Sequence, residues 1–167
     1  MEYPPGTVSI RPVAAGDDLE ASLRIVRTAF ATVAARLGLT VGNCPTHPSF
    51  ITIEGLEKIR DAGMTLFGLF EGDEQAGFVA VEDAGGGVWY LEKLAVLPER
   101  RRAGYGERLV RHALEYIRSR GGRTVSIGVI DEDLPLRRWY ARFGFVATAR
   151  KRYPHLPFAV CFMEMRP

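Results

Sequence analysis

Residues 90–111 constrain this chain more than any other stretch. Tyr-Leu-Glu-Lys-Leu-Ala-Val-Leu is an apolar, strand-forming run, Pro-Glu-Arg-Arg-Arg-Ala-Gly-Tyr-Gly is a basic turn, and Glu-Arg-Leu-Val-Arg opens an amphipathic helix. A strand that feeds a helix through a glycine-bearing turn leaves the first N–H groups of the helix without intrahelical partners. The helix dipole adds partial positive charge at the same end, so the junction is suited to hold an anion, phosphate above all.

The remaining elements are read from period and punctuation. Residues 7–11 alternate enough for a first strand, closed by Pro12 and Gly16, with Asp17 and Asp18 placed to cap a helix. Leu19, Leu23, Val26, Phe30, Val33 and Leu37 recur at spacings of three and four, which predicts an amphipathic helix over 19–37. Residues 38–50 carry Gly42, Asn43, Pro45, His47 and Pro48 and read as a loop; Thr52 then offers a hydroxyl cap to a short helix ending near Gly63. Residues 64–71 and 76–82 form a hairpin, 83–87 turn again, and 88–97 complete a meander. A helix over 104–120 buries Leu109, Ala113, Tyr116 and Ile117 and ends on Gly121 and Gly122. A strand over 124–130, a short helix over 134–143 stopped by Gly144, and strands over 145–151 and 158–165 close the chain. This order predicts one α/β domain, residues 1–167, around a mixed sheet.

Composition narrows the class. With 167 residues, 47% hydrophobic and 25% charged, the make-up is that of an ordinary globular domain. A formal net charge of +2 is too small to argue for a nucleic-acid partner. Much of the local excess, Arg100, Arg101, Arg102, Arg108 and Arg111, sits around the turn. No run approaches the roughly 20 apolar residues of a membrane span. The opening Met1-Glu2-Tyr3-Pro4-Pro5 lacks the charged-then-apolar order of a signal peptide. A cytoplasmic protein with no membrane partner is expected, in which Cys44 and Cys161 stay thiols and serve as small buried hydrophobes.

Three patterns compete for Arg101-Arg102-Ala103-Gly104-Tyr105-Gly106. A dinucleotide fingerprint needs a third glycine where Leu109 stands, and a P-loop needs Gly-Lys-Ser/Thr where Glu107 comes after Gly106, so both fail. The remaining pattern, Gln/Arg-x-x-Gly-x-Gly/Ala after a strand, resembles the acyl-CoA turn of the GCN5-related N-acetyltransferase (GNAT) superfamily, with Arg101, Gly104 and Gly106 in its fixed positions. Leu94-Ala95-Val96 with Pro98 is similar to that family's strand end. Trp139-Tyr140-Ala141-Arg142-Phe143-Gly144-Phe145 resembles its second hallmark, a short helix ending in Tyr-x-x-x-Gly-Phe. The resemblance covers nearly the whole chain. It implies the GNAT fold: a mixed, mostly antiparallel sheet of about seven strands with about four helices, in the order β-α-α-β-β-β-α-β-α-β-β. Homodimers are common in that family. A plain helix start with solvated arginines is the alternative for the turn.

The resemblance implies acetyl-CoA as co-substrate. Amides from Arg101, Arg102, Ala103, Gly104, Tyr105 and Gly106 would hold the pyrophosphate, with the Arg101 and Arg102 side chains adding charge at its rim. A lysine-like amine with a pKa of about 10.4 is almost wholly protonated at neutral pH, so acetyl transfer calls for a general base. Glu92 is the candidate, on a strand whose alternation puts Tyr90, Glu92 and Leu94 on one face and Leu91, Lys93 and Ala95 on the other; a salt-bridged strand residue is the competing reading. Tyr140 is the candidate acid for the departing sulfur, with a core aromatic as its alternative. Backbone N–H groups near Leu94, Ala95 and Val96 would polarise the thioester. The family often holds an asparagine that contacts CoA where Asp133 stands here, and a carboxylate cannot donate as an amide does.

Acceptor recognition is expected from the loops holding His47 and Phe50 and His155, histidines among prolines and aromatics. A small-molecule or peptide amine is the expected partner. Cys44, His47, His155 and Cys161 approach zinc-ligand spacings, but five residues between the second pair would spread its ligands by roughly 20 Å along a strand, so no metal is expected. Two other functions stay open: a non-catalytic acyl-CoA-binding or regulatory domain, and an acyltransferase with another donor or a hydroxyl acceptor.

Overall fold

The computed structural model describes Pro4 and residues 6–167. The expectation drawn from the first five residues thus lies, Pro4 apart, outside the described residues. The chain runs β1 (Val8–Pro12), α1 (Glu20–Leu37), α2 (Ile53–Asp61), β2 (Thr65–Glu71), β3 (Glu74–Gly85), β4 (Val88–Val96), α3 (Tyr105–Ser119), β5 (Thr124–Ile130), α4 (Leu134–Ala141), β6 (Val146–Arg152) and β7 (Ala159–Met165). Single 3-10 turns, Pro48–Phe50 and Pro98–Arg100, sit in the loops before α2 and α3. The element order is the expected one, and the strands form a seven-stranded sheet in the order β1-β2-β3-β4-β5-β7-β6.

Every strand pair is antiparallel except β4 with β5, which are parallel and joined by α3 as a crossover. That parallel pair is short. Only Val88 with Thr124, Trp89 with Val125 and Tyr90 with Ser126 face each other; β4 then stays with β3 while β5 stays with β7, and the two strands part. The sheet is continuous at one end and open at the other.

Each sheet face has its own core. On one, Ile25 and Val26 of α1 and Leu56 of α2 pack on Leu66, Phe78, Ala80 and Ala95. On the other, Leu109, Val110, Ala113 and Ile117 of α3 and Tyr140 of α4 pack on Val79, Leu91, Val125, Ile127 and Met163. Tyr116, expected among the buried residues of α3, is half-buried beside them, its ring edge-on to Phe67 and Trp89.

The alternation expected for β4 fails at Lys93. Glu92 stands opposite Ala80 and Ala95 opposite Phe78, so Lys93 and Leu94 together oppose Val79 alone, a β-bulge with Lys93 at φ 54°. Cross-strand partners share a face. Glu92 therefore joins Ala95 on the α1 face, whereas Leu94 turns to the α3 face and packs beside Leu91 and Val96. A non-glycine residue in the left-handed region costs on the order of 1 kcal/mol or more, a strain that recurs at functional sites.

The apolar stripe of α1 is also rotated from expectation. Its buried residues are Ser22, Ile25, Val26, Ala29 and Ala34, while Phe30 and Val33 are only half-buried. Ser22 is tolerated because its Oγ accepts from Gln75 Nε2 at 2.9 Å, and the same amide donates to Gly77 O at 3.1 Å. Asp17 and Asp18 do not cap α1 in the usual way: Asp17 Oδ2 accepts from Ala14 N–H, and Asp18 Oδ1 accepts from Glu20 N–H while Leu19 takes the N-cap place. Thr52 does cap α2, its Oγ1 accepting from Gly55 N–H at 3.1 Å.

His112, half-buried on α3, packs edge-on against Phe67 with centroids 4.7 Å apart. Burial holds its pKa below the ordinary 6.5, against a smaller opposing pull from Glu115. The unfolded chain takes up this proton first, so the stabilising contribution of neutral His112 is complete above pH 6.5 and is lost as pH falls through its lower folded value. Thermal midpoints at about pH 7.5 and about pH 5.5 should therefore differ less in His112→Gln than in the parent chain.

Candidate active site

Where β4 and β5 part, a cleft of about 1150 Å³ opens through the sheet. Residues 90–96 of β4 and 126–130 of β5 form its sides, α1 and the His47–Pro48 loop wall one face, and α4 walls the other. Beyond Tyr90 the β4 backbone groups that point toward β5 have no partner strand, so the β5-facing donors of the stretch that holds Leu94, Ala95 and Val96 turn to the opening.

The glycine-bearing turn closes one end. Arg102 (φ 68°) and Gly104 (φ 80°) are both left-handed, which coils residues 101–106 tightly into the first turn of α3. The N–H groups of residues 102–107 have no hydrogen-bond partner among the described residues. The N–H of Arg101 does, donating to Pro98 O at 3.4 Å, so the run of free donors starts one residue later than expected. A Cβ on Gly104 would meet no protein atom within 4 Å, leaving open space before the amides; one on Gly106 would lie 3.4 Å from the Trp139 indole, so Gly106 lets α3 approach α4. Ala103 is exposed between them.

The arginines divide their work differently from expectation. Arg101 lines the cleft, but its guanidinium donates to Ala29 O at 3.1 Å and Thr32 Oγ1 at 3.2 Å, tying the turn to α1. On the other side Glu71 Oε1 accepts from Arg100 Nε and from the Tyr105 hydroxyl, each at 2.9 Å. Burial first, and this bond second, raise the Tyr105 pKa. Arg101, Arg102 and Arg142 are the cleft-lining cations with no ion pair among the described residues, and of these Arg102 and Arg142 make no side-chain hydrogen bond either.

Glu92 and Tyr140 both line the cleft, from opposite faces of the sheet. Glu92 is half-exposed and its Oε2 accepts from Lys93 Nζ at 3.3 Å, so the salt bridge weighed against it exists alongside access to the cleft. Tyr140 is held edge-on between Trp139 and Phe145 at 5.0 and 5.6 Å. Its hydroxyl, however, has no hydrogen-bond partner among the described residues and is not sealed from the cleft. Burial pushes the phenol well above its ordinary pKa, so it keeps its proton.

Asp133 reaches the cleft but is spent on protein contacts. Its Oδ1 accepts from Leu136 N–H at 3.2 Å as the N-cap of α4, and its Oδ2 binds Arg36 at 2.8 Å, joining α4 to α1. The CoA contact implied for this position is replaced by a tether between two cleft walls.

Of the acceptor candidates, only His47 lines the cleft. Its Nδ1 accepts from Ser49 N–H at 3.4 Å and meets Ser49 Oγ at 2.7 Å, which leaves Nε2 to carry the proton; burial lowers its pKa, keeping it neutral. Phe50 lies behind it with centroids 6.2 Å apart. His155 is on the exposed β6–β7 loop, beside Tyr153, and does not reach the cleft. Cys44 and Cys161 are buried in different apolar clusters, so the zinc-like spacing does not converge. Among the described residues no group of three or more His, Cys, Asp or Glu could hold a metal ion.

Phe158, from the prolyl and aromatic segment that begins at His155, does line the cleft; Phe30, Val33 and Arg36 of α1 and Val160 and Phe162 of β7 line it too and were not singled out by sequence. A signal was present: the apolar residues of α1 cover more of the helix than one core stripe needs.

The comparisons with known proteins agree with this geometry. The model of the Acetyltransferase (GNAT) family matches residues 37–145. The chain is 29% identical over 100 residues to an uncharacterized N-acetyltransferase, YsnE, of Bacillus subtilis, a match covering 59% of this chain and 66%, just under two thirds, of that protein. Its fold is similar to the ribosomal-protein-S18-alanine N-acetyltransferase of Escherichia coli (TM-score 0.76, 18% identity, covering 96% of this chain and 94% of the other). It is also similar to the PaiA N-acetyltransferase of Thermoplasma acidophilum, solved with coenzyme A bound (TM-score 0.74, 16% identity, 96% and 99% covered). A seven-stranded sheet parting at β4 and β5, a glycine turn with free amides at the mouth of the gap, and a family match across most of the chain lead to one conclusion: this protein belongs to the GNAT family of acetyltransferases.

Proposed function

We propose that the protein transfers an acetyl group from acetyl-CoA to a primary amine by direct attack in a ternary complex. The observation that carries this reading is the placement, in one cleft, of free amides at residues 102–107 and of Glu92 and Tyr140 on opposite sides of the β4–β5 opening. Coenzyme A bound to the structurally similar PaiA enzyme supports the donor. The pyrophosphate sits on the amides of residues 102–107, with Arg102 adding charge, and the pantetheine arm runs along β4 into the opening.

The amine arrives on the α1 face, where Glu92 takes its proton. The nitrogen attacks the thioester carbon while free backbone N–H groups at residues 94–96 bind the developing oxyanion. The N–C bond forms, the C–S bond breaks, and the sulfur leaves toward the α4 face, where the Tyr140 hydroxyl gives it a proton. The nitrogen sheds two protons through Glu92 to solvent, one from the ammonium before attack and one from the tetrahedral adduct, and Tyr140 regains its own from there, so the products are the N-acetyl amine, free CoA and one net proton. No acyl-enzyme is needed: both cysteines are buried, and burial raises the Cys44 pKa, opposite to what a nucleophile requires. No helix among the described residues is long and apolar enough to cross a membrane. A cytosolic location is part of the proposal.

Gly104→Val places a branched side chain in the open space before the amides and should weaken acetyl-CoA binding by tenfold or more, on the order of 1.4 kcal/mol. Unchanged affinity by calorimetry would move the donor site elsewhere. Tyr140→Phe should lower kcat by about 10²-fold, the lower end for general acid catalysis, with acetyl-CoA affinity retained. In Glu92→Gln the rate should fall most at low pH, where neutral amine is scarcest. A kcat/KM profile parallel to the parent's would remove Glu92 from the mechanism.

A further inference from the structure

Resting on the acetyltransferase reading, the α1 face of the cleft says what kind of amine it takes. The cross-strand register places Tyr90, Ser126, Gly128, Val160 and Phe162 on this face: Tyr90 pairs with Ser126, and Gly128 with Phe162. Gly128 is exposed in the middle of the central strand β5, and a Cβ there would come within 3.3 Å of Val160 Cγ1 and 3.5 Å of the Phe162 ring. The missing side chain leaves a flat floor against that ring. Opposite stand the half-buried Phe30 and Val33, the apolar residues that α1 does not use in its core.

The charges of the cleft exclude the more polar acceptors. Its carboxylates are Glu92, Glu107 and Asp133, and each is already paired, with Lys93, Arg111 and Arg36. A polyamine or aminoglycoside would bring in further ammonium groups with no free cleft carboxylate to meet them, and burying an unpaired charge is strongly unfavourable. An amino acid would need a free cation for its carboxylate on this face. Of the cleft-lining cations, Arg36, Lys93 and Arg100 are in ion pairs, the Arg101 guanidinium is held by Ala29 O and Thr32 Oγ1, and Arg102 and Arg142 belong to the turn before α3 and to the end of α4 across the sheet; Lys151, whose Nζ lies 5.9 Å from the Phe162 ring centroid, is outside the cleft lining.

Reach is limited as well. Leu156 and Phe158 of the β6–β7 loop pack on Ala34, Leu39 and Cys44, so the loops after α1 and β6 meet and close the far side of this face. The neutral His47, with Nε2–H free, supplies a donor at this wall.

We propose that the acceptor is a small monoamine with an aromatic or aralkyl body, its ring seated on Gly128 between Phe162 and Phe30 and its amine beside Glu92. The test uses the full chain with acetyl-CoA and measures CoA release with 2-phenylethylamine, spermidine, phenylalanine and a lysine-bearing peptide. The expected result is a kcat/KM for 2-phenylethylamine at least about tenfold above each of the others. Phe162→Ala should move the preference toward the bulkier tryptamine, and Gly128→Val should raise the KM for 2-phenylethylamine, each by about tenfold. Equal or better transfer to spermidine, phenylalanine or the peptide overturns the proposal, as does an amine preference that neither variant changes. Acetyl-CoA binding by calorimetry with no transfer to 2-phenylethylamine overturns the acceptor class alone. Absence of acetyl-CoA binding overturns the reading beneath it too.

Discussion

The parting of β4 from β5 after the Tyr90–Ser126 pair is the constraint on which the rest of the molecule depends. A parallel pair left unfinished in mid-sheet is costly, because backbone donors and acceptors lose their partners where water has limited access. The fold bears this by giving each strand a complete antiparallel neighbour on its other side, β3 for β4 and β7 for β5. The unpaired edges then face each other across a gap that reaches both sides of the sheet. Acid and base candidates can therefore stand on opposite faces and reach toward the gap from either side.

The anion turn is held as firmly as the gap is left open. Arg101 fastens it to α1, and Glu71 fastens Arg100 and Tyr105 to β2. These side chains carry the charge that makes the segment look basic, yet most of it goes into protein contacts, and the amides of residues 102–107 are left without partners among the described residues. Rigid donors aimed before the ligand arrives need little reorganisation when it binds. The Asp133–Arg36 pair does similar work across the cleft, fixing α4 to α1.

The bulge at Lys93 shows why sequence alternation misassigned part of the site. Glu92 and Leu94 look equivalent along a regular strand, and one inserted residue sends them to opposite faces. A bulge has no sequence signature of its own here, since Lys93 is neither glycine nor asparagine. Phe30 and Val33 failed for a related reason: a helix facing both a core and a ligand cleft carries apolar residues toward each, and spacing alone does not separate the two. His155 was misplaced because proline and aromatic neighbours mark a stiff loop without saying where it points.

Element order, the glycine-bearing turn and the Tyr140 helix were legible in the sequence, because these rest on local rules: period, caps and the backbone freedom of Gly104. Only the tertiary structure decided which arginines are free, that Asp133 binds Arg36 and that Glu92 faces α1 across the opening from Tyr140. It also decided that a bare Gly128 and Phe162 make an aromatic floor. Those outcomes depend on cross-strand register and on contacts between residues distant in the chain, and neither leaves a mark in local sequence.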